Sequence, residues 1–313
     1  MANFPLTENQ TAKELLTAFL QGGQFPNALL LWGPHGTGKR TLARWLAQGL
    51  VCTSGGDVPC GVCAACRKVA ANGHQDVTFL DNNGETIRID LVRDVIADAY
   101  IKPGESEHKV FCIIDFQNMR HEGQNALLKT LEEPPAGVRF ILTATSVSAV
   151  LPTIASRCVC VPVQTVSDTA IRDAMGKKYP KTSANDLELA IALCGGSMGQ
   201  AERLLADKNC RFVCQMALEA AQSVNGADGG GLLLALAKAE KDRDLMASFS
   251  EFFTALLLRE LAGKRRFFDS LPSESLVALL GAMQEFSGFL PANVNMSTLV
   301  LDLHRRMMES VEQ

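Results

Sequence analysis

The first half of the chain alternates short, unbroken apolar runs with amphipathic stretches, whereas the second half carries amphipathic stretches alone. The runs are Ala28–Trp32, Val77–Leu80, Val110–Ile114, Arg139–Thr143 and Cys158–Val161. Each has the length of a strand and none alternates with polar residues. That pattern predicts parallel strands covered on both faces by crossover helices. Pro162 follows the last run and closes the series. From about Ser167 only helical signals remain, with starts marked by Ser167, Ser183 and Gly195–Ser197. Beyond residue 208, Leu245, Phe249, Phe252, Phe253 and Leu256 recur at helix spacing, as do Leu299, Leu303 and Met307. Gly226–Gly231 and Pro291–Asn295 are the expected connections in that part. Three regions result: an α/β domain over residues 1–165, a short helical domain over 166–207, and a helical bundle over 208–313.

Composition narrows the classes. Of 313 residues, 47% are hydrophobic and 20% charged, enough apolar material for sizeable cores and against disorder. No apolar run reaches the roughly 18 residues of a membrane span. The start, Met1 to Glu8, has no basic segment leading into an apolar one, so neither a secretory signal nor a membrane location is expected, and a cytoplasmic one is. Thirty basic against thirty-four acidic residues exclude a globally basic nucleic-acid binder, though not a local basic patch. Two Trp and two Tyr offer little stacking surface for single strands.

The first apolar run leads into Gly33-Pro-His-Gly36-Thr-Gly38-Lys39-Arg40-Thr41, followed by a helical stretch. Strand, glycine-rich loop and helix form the setting of a phosphate-binding loop, in which backbone N–H groups and the helix start attract anions and Lys39 reaches the terminal phosphates. The residue after the lysine should carry a hydroxyl for magnesium. Here it is Arg40, and Thr41, one helical step or about 100° further round, is expected to point away from the metal. The loop therefore reads as a degenerate nucleotide site, with a plain glycine turn as the alternative present role, and ATP binding is doubtful. The run Val110–Ile114 ends in Asp115, where a metal-holding acid would sit; capping the next helix is the competing role. The next position, which in hydrolytic sites carries the acid that orients water, is Phe116.

Cys52, Cys60, Cys63 and Cys66 have the spacing C-x7-C-x2-C-x2-C in a stretch rich in glycine. Four thiolates close a tetrahedral zinc shell with no open position, which makes the expected zinc structural. Disulfides are disfavoured in a chain expected to stay in a reducing compartment. The remaining six cysteines mostly lie in apolar runs and read as buried thiols.

These features together resemble the AAA+ clamp-loader family of bacterial DNA polymerase III. The resemblance rests on the cysteine insertion after the loop helix, on Gln124-Asn-Ala-Leu-Leu-Lys-Thr-Leu-Glu-Glu-Pro-Pro135, and on Ser156-Arg157-Cys158. It spans residues 25–165 by motif, 166–207 more loosely, and the C-terminal helices in character, with Asn293 and Asn295 leading into a last helix similar to that of the family's collar. It implies a RecA-like AAA+ domain with a zinc-binding loop (52–66), a helical lid, and a collar that joins subunits in a hetero-pentameric ring. It also implies a complex of gamma or tau, delta and delta-prime subunits that loads a sliding clamp onto primed DNA. Within the family, Arg40, Phe116 and Gly199 (where motor subunits carry an arginine that senses nucleotide) resemble the delta-prime type. That type is a stator without ATPase activity of its own, within a DNA-directed DNA polymerase holoenzyme. The resemblance further implies that Arg157 is an arginine finger acting in trans on the ATP held by a neighbouring gamma or tau subunit.

Three rivals are weaker. An ATP-hydrolysing gamma- or tau-type motor would need an acid at 116 and an arginine at 199. A Holliday-junction branch-migration ATPase also needs a working site and leaves the cysteines unexplained. A zinc module binding nucleic acid by itself is opposed by charge, since Cys52–Cys66 contains Asp57 and no Lys or Arg.

Overall fold

The computed structural model describes residues 4–56, 58–82, 84–263, 267–290, 292 and 294–311. Of the positions named above, Met1 to Asn3, Asp57, Pro291 and Asn293 lie outside the described residues. The chain separates into two compact units. The first runs to Ala170 and includes Ser197–Gly199; the second comprises Ile171–Gly196 and the chain from Gln200 onward.

In the first unit, α1 (Gln10–Gln21) precedes β1 (Ala28–Trp32), α2 (Lys39–Val51), α3 (Ala64–Ala70) and β2 (Val77–Leu80). Then come α4 (Ile89–Ala99), β3 (Lys109–Ile113), α5 (His121–Glu132), β4 (Val138–Ala144), α6 (Pro152–Ala155) and β5 (Val159–Pro162). The five strands form one sheet in the order β2-β3-β4-β1-β5, and every pairing is parallel. Both faces are covered, which is why the strand sequences lack polar alternation. Leu29 and Leu31 pack with Leu42, Leu46 and Val69 on the face of α1, α2 and α3. Ala28 and Leu30 pack with Val92, Val95, Leu127 and Ile154 on the face of α4, α5 and α6. The strand after β2 begins one residue earlier than its apolar run, because Lys109, itself buried, joins the ladder while its ammonium reaches Asp98 at 2.5 Å.

One buried carboxylate fixes the approach to β3. Asp76 accepts backbone N–H bonds from Gly104 (2.7 Å), Glu105 (2.7 Å) and Ser106 (2.8 Å), and a hydroxyl bond from Ser106. Burial opposes the charged form, but these donors outweigh it and hold the carboxyl below the usual aspartate range. A depressed folded pKa gives stability that is present above the unfolded aspartate value near 4 and lost as pH falls through the folded one. Asp76→Asn should therefore cost about 2–3 kcal/mol at pH 7. The difference from the parent should shrink below about pH 4, as urea titrations at several pH values would reveal.

The second unit is helical throughout its described residues. It contains α7 (Asp168–Lys178, whose first turn belongs to the first unit), α8 (Ala184–Leu193), α9 (Met198–Ala206) and α10 (Lys208–Asn225). The first two residues of α9 belong to the first unit. These helices are followed by α11 (Gly229–Ala237), α12 (Arg243–Leu261), α13 (Ser273–Phe289) and α14 (Met296–Glu309). The Ser183 side chain caps α8 through the Asp186 N–H, as its position suggested. In the core Phe253 meets Phe249 at a tilt (5.5 Å between ring centres) and Phe268 edge to face (5.7 Å), and α8 packs against α12. The expected connection Gly226–Gly231 is shorter than its glycines suggest. Gly229–Gly231 form the first turn of α11, which Asp228 caps by accepting from the Gly231 N–H at 2.9 Å.

Candidate functional site

The loop from Gly33 to Gly38 joins the carboxyl end of β1 to α2. Gly33, Gly36 and Gly38 all have positive φ, and a Cβ on Gly33 would lie 2.1 Å from the Val163 carbonyl. A cavity of about 450 Å³ lies against the loop, bordered by Lys39, Arg40, Asp81, Asp115, Thr143 and Gly199 among others. The sequence-predicted loop residues and Asp115 thus do come together.

Their state is closed. The Lys39 ammonium is buried and donates to the carbonyls of Gly33 and Pro34, both at 2.7 Å, so it is satisfied by its own loop. Burial pulls its pKa below the usual lysine value, and Asp115 partly offsets that. The Arg40 guanidinium, largely exposed, pairs with Asp81 at 2.6 Å, so the position after Lys39 carries an ion pair in place of a metal-binding hydroxyl. Thr41 is exposed and also borders the cavity, so the helical step does not carry it clear of that space as expected. Asp115 sits in a left-handed turn (φ 50°) with its N–H on the Thr143 hydroxyl at 2.9 Å, and its side chain makes no capping bond. Phe116 is fully buried in the core beside α4 and α5 and does not border the cavity. Gly199 donates its N–H to the Gly36 carbonyl at 2.9 Å, and a Cβ there would come within 3.0 Å of that oxygen. A side chain at 199 would need Gly36 to give way by a few tenths of an ångström.

Arg157 is at the other end of the sheet. Arg157 lies in the turn just before β5, whose first residue Val159 is opposite Leu29, and it borders the same hollow as Asn27 at the amino end of β1. The six residue steps from Asn27 to Gly33, about 20 Å along β1, then separate it from the loop. An arginine side chain does not span that distance, so Arg157 cannot serve the phosphate loop of its own chain. It is exposed, and it borders a shallow hollow of about 650 Å³ with Asn27, Leu131, Glu132 and Val159. Its guanidinium pairs with Glu132.

The four cysteines converge as their spacing required. Their sulfur atoms all lie within 4.8 Å of one another, with Cys52–Cys63 and Cys60–Cys66 at 4.0 Å. Sulfurs around one tetrahedral zinc, at 2.3 Å from the metal, are about 3.8 Å apart, whereas a disulfide needs about 2.05 Å. The donor set fits zinc. Burial alone would raise the Cys63 thiol, but hydrogen bonds from Cys66 and Thr53 bring it down to about 5, while burial pushes Cys66 up. Of the other six, Cys112, Cys194, Cys210 and Cys214 are buried, and Cys158 and Cys160 are half-buried beside the α5 core.

Two partners in these arrangements were not singled out in the sequence. Asp81 had a readable signal, an acid directly after the strand Val77–Leu80. Glu132 lay inside the conspicuous stretch Gln124–Pro135, but nothing in the sequence pairs it with Arg157.

Residues 8–167, half of the chain, match the family model described as DNA polymerase III, delta subunit. The chain belongs to this family of clamp-loader subunits. It is 36% identical over 184 residues to the DNA polymerase III delta-prime subunit of Pseudomonas aeruginosa, covering 58% of this chain and 56% of that one. It is also 36% identical over 163 residues to the gamma subunit of Buchnera aphidicola, covering 51% and 45%. With the tau subunit of Salmonella typhimurium it shares 37% over 150 residues, 47% of this chain and 23% of that one. This clamp-loader chain thus spans from about a quarter to just over half of the length of these relatives. A solved DNA polymerase III gamma subunit-related protein of Thermotoga maritima has the same fold, with a TM-score of 0.53 at 17% identity, covering 97% of this chain and all of that one. The parallel five-stranded sheet with its helices fits the RecA-like AAA+ domain, followed by a helical C-terminal part. Among the described residues, no helix is long and apolar enough to cross a membrane.

Proposed function

We propose that this clamp-loader subunit is of the delta-prime type: a stator that hydrolyses no ATP itself, helps place a sliding clamp on primed DNA, and supplies Arg157 to the ATP site of a neighbouring gamma or tau subunit. The observation that carries this reading is the separation of about 20 Å along the sheet between Arg157 and the chain's own phosphate loop. An arginine in that place can meet a nucleotide only on another chain. The similarity to gamma and tau relatives is as high as that to delta-prime, so identity alone does not distinguish stator from motor. The site favours the stator: Arg40 is held by Asp81, Phe116 is in the core, and Gly199 abuts the loop.

The rest of the assignment belongs to the same reading. Cys52, Cys60, Cys63 and Cys66 would hold one zinc, whose part is structural. Residues 166–207 form the lid and 208–313 the collar that joins gamma or tau and delta in a five-membered ring. The complex works in the cytoplasm as part of the polymerase holoenzyme.

The purified chain with magnesium and ATP should release no phosphate above background, and Lys39→Ala should change nothing. A turnover that Lys39→Ala abolishes would overturn the stator reading in favour of a motor. Phe116→Glu should not create activity. Because the side chain points into the core, it should instead lower stability by about 3–5 kcal/mol, measurable by denaturant titration.

A further inference from the structure

We infer that Glu132 is a positioning residue for Arg157: it grips the side edge of the guanidinium so that the end fork, Nη1 and Nη2, is presented outward to phosphate oxygens. This rests on the trans-acting reading of Arg157 proposed above.

The geometry is a matter of counting hydrogens. A guanidinium has five N–H donors in one plane. Arg157 Nε donates to Glu132 Oε1 at 2.6 Å, and Nη2 donates to the same oxygen. Nη1 donates to the Thr153 carbonyl at 2.8 Å and, over a longer 3.4 Å, to the Ser156 hydroxyl. Two hydrogens thus go to Glu132, one to Thr153 and one, over the long 3.4 Å contact, to the Ser156 hydroxyl. One hydrogen on Nη2 is left over, and the Nη1 hydrogen on the exposed Ser156 hydroxyl is the one a phosphate oxygen would displace to complete a pair. That pair is the fork that takes two oxygens of a phosphate at once.

Glu132 is itself well placed to do this. It is the last residue of α5, and Pro134 and Pro135 stop the helix there. Helix and carboxylate are therefore anchored in the core through Leu127 and Leu131, while Glu132 stays at the surface. Without that anchor, Arg157 would be a long exposed side chain free to populate many rotamers, and the entropy of ordering it would be charged to the transition state. A use thereby emerges for the end of the Gln124–Pro135 stretch, which the phosphate loop leaves unexplained.

The test compares assembled clamp-loader complexes carrying Glu132→Gln, Arg157→Ala or both in this subunit. Glutamine keeps the shape of the side chain but loses the charge that fixes the guanidinium. Glu132→Gln should lower the DNA-stimulated kcat for ATP about tenfold, with KM within about twofold and the melting temperature of the subunit unchanged. The double variant should be no slower than Arg157→Ala alone, because a positioning residue has nothing left to position. An unaltered or raised kcat for Glu132→Gln, or losses that simply multiply in the double variant, would overturn the inference. The Arg157→Ala deficit would then still support the finger. If Arg157→Ala has no effect either, the finger reading falls, and the role of Glu132 with it.

Discussion

Replacing Arg157 with alanine should slow ATP turnover by the assembled clamp-loader complex about 10³-fold or more, the range in which arginine fingers contribute to phosphoryl transfer. Charge develops on the γ-phosphate oxygens in the transition state, and the proposed finger would meet it there from the neighbouring chain. The loss should fall on kcat more than on nucleotide affinity. Folding should hardly change: the side chain is about one-third exposed, and its ion pair with Glu132 is of the kind worth about 0–1 kcal/mol. Assembly should survive as well, since the proposed ring contacts lie in the helices after residue 208. Arg157→Lys should rescue poorly, because a point charge cannot reproduce the two-pronged contact. Clamp loading at the parent rate by the Arg157→Ala complex would leave only a scaffold role.

The second large effect should come from the metal. One zinc per chain should co-purify, and Cys63→Ser should release it. Structural zinc contributes about 10–16 kcal/mol of apparent binding energy in small zinc-finger peptides, so the loop around the cysteines should lose its order when the metal leaves. The damage should stay local. The module meets α2 through Gln48 to the Cys66 carbonyl (3.0 Å), Arg44 to the Ala70 carbonyl (2.8 Å) and the buried Val69, whereas β1, β3 and β4 are buried on both faces. Hydrogen exchange should therefore rise between residues 52 and 70 while the central strands keep their protection. A mapped Cys60–Cys66 disulfide, or no stoichiometric zinc, would count against the site.

The sheet was legible because strands covered on both faces are apolar at most positions, with exceptions such as Lys109 and Arg139 near their starts. All five apolar runs became strands, with ends shifted by a residue or less. The cysteine cluster was legible for a similar reason, since four soft ligands at short spacing have few other uses. Tertiary pairing was not. That Arg40 meets Asp81, that Phe116 faces inward, and that Gly199 reaches back to Gly36 depend on which side of a turn each residue leaves from. The three glycines at Gly229–Gly231 misled for the opposite reason: their low helix propensity is overridden by the Asp228 cap and by burial of Leu232, Ala235 and Leu236.

The sheet also gives the molecule a polarity. Its amino edge carries an outward-facing cation and its carboxyl edge carries a phosphate loop already satisfied by internal bonds. In a row of such subunits, where each one's edge completes the next one's nucleotide site, a member that gives but does not receive can stand at only one end. Adding a second copy further along would break the row by one working site. On the proposed stator reading, the number of sites that fire would be set by the other members, and this chain would determine where the counting starts.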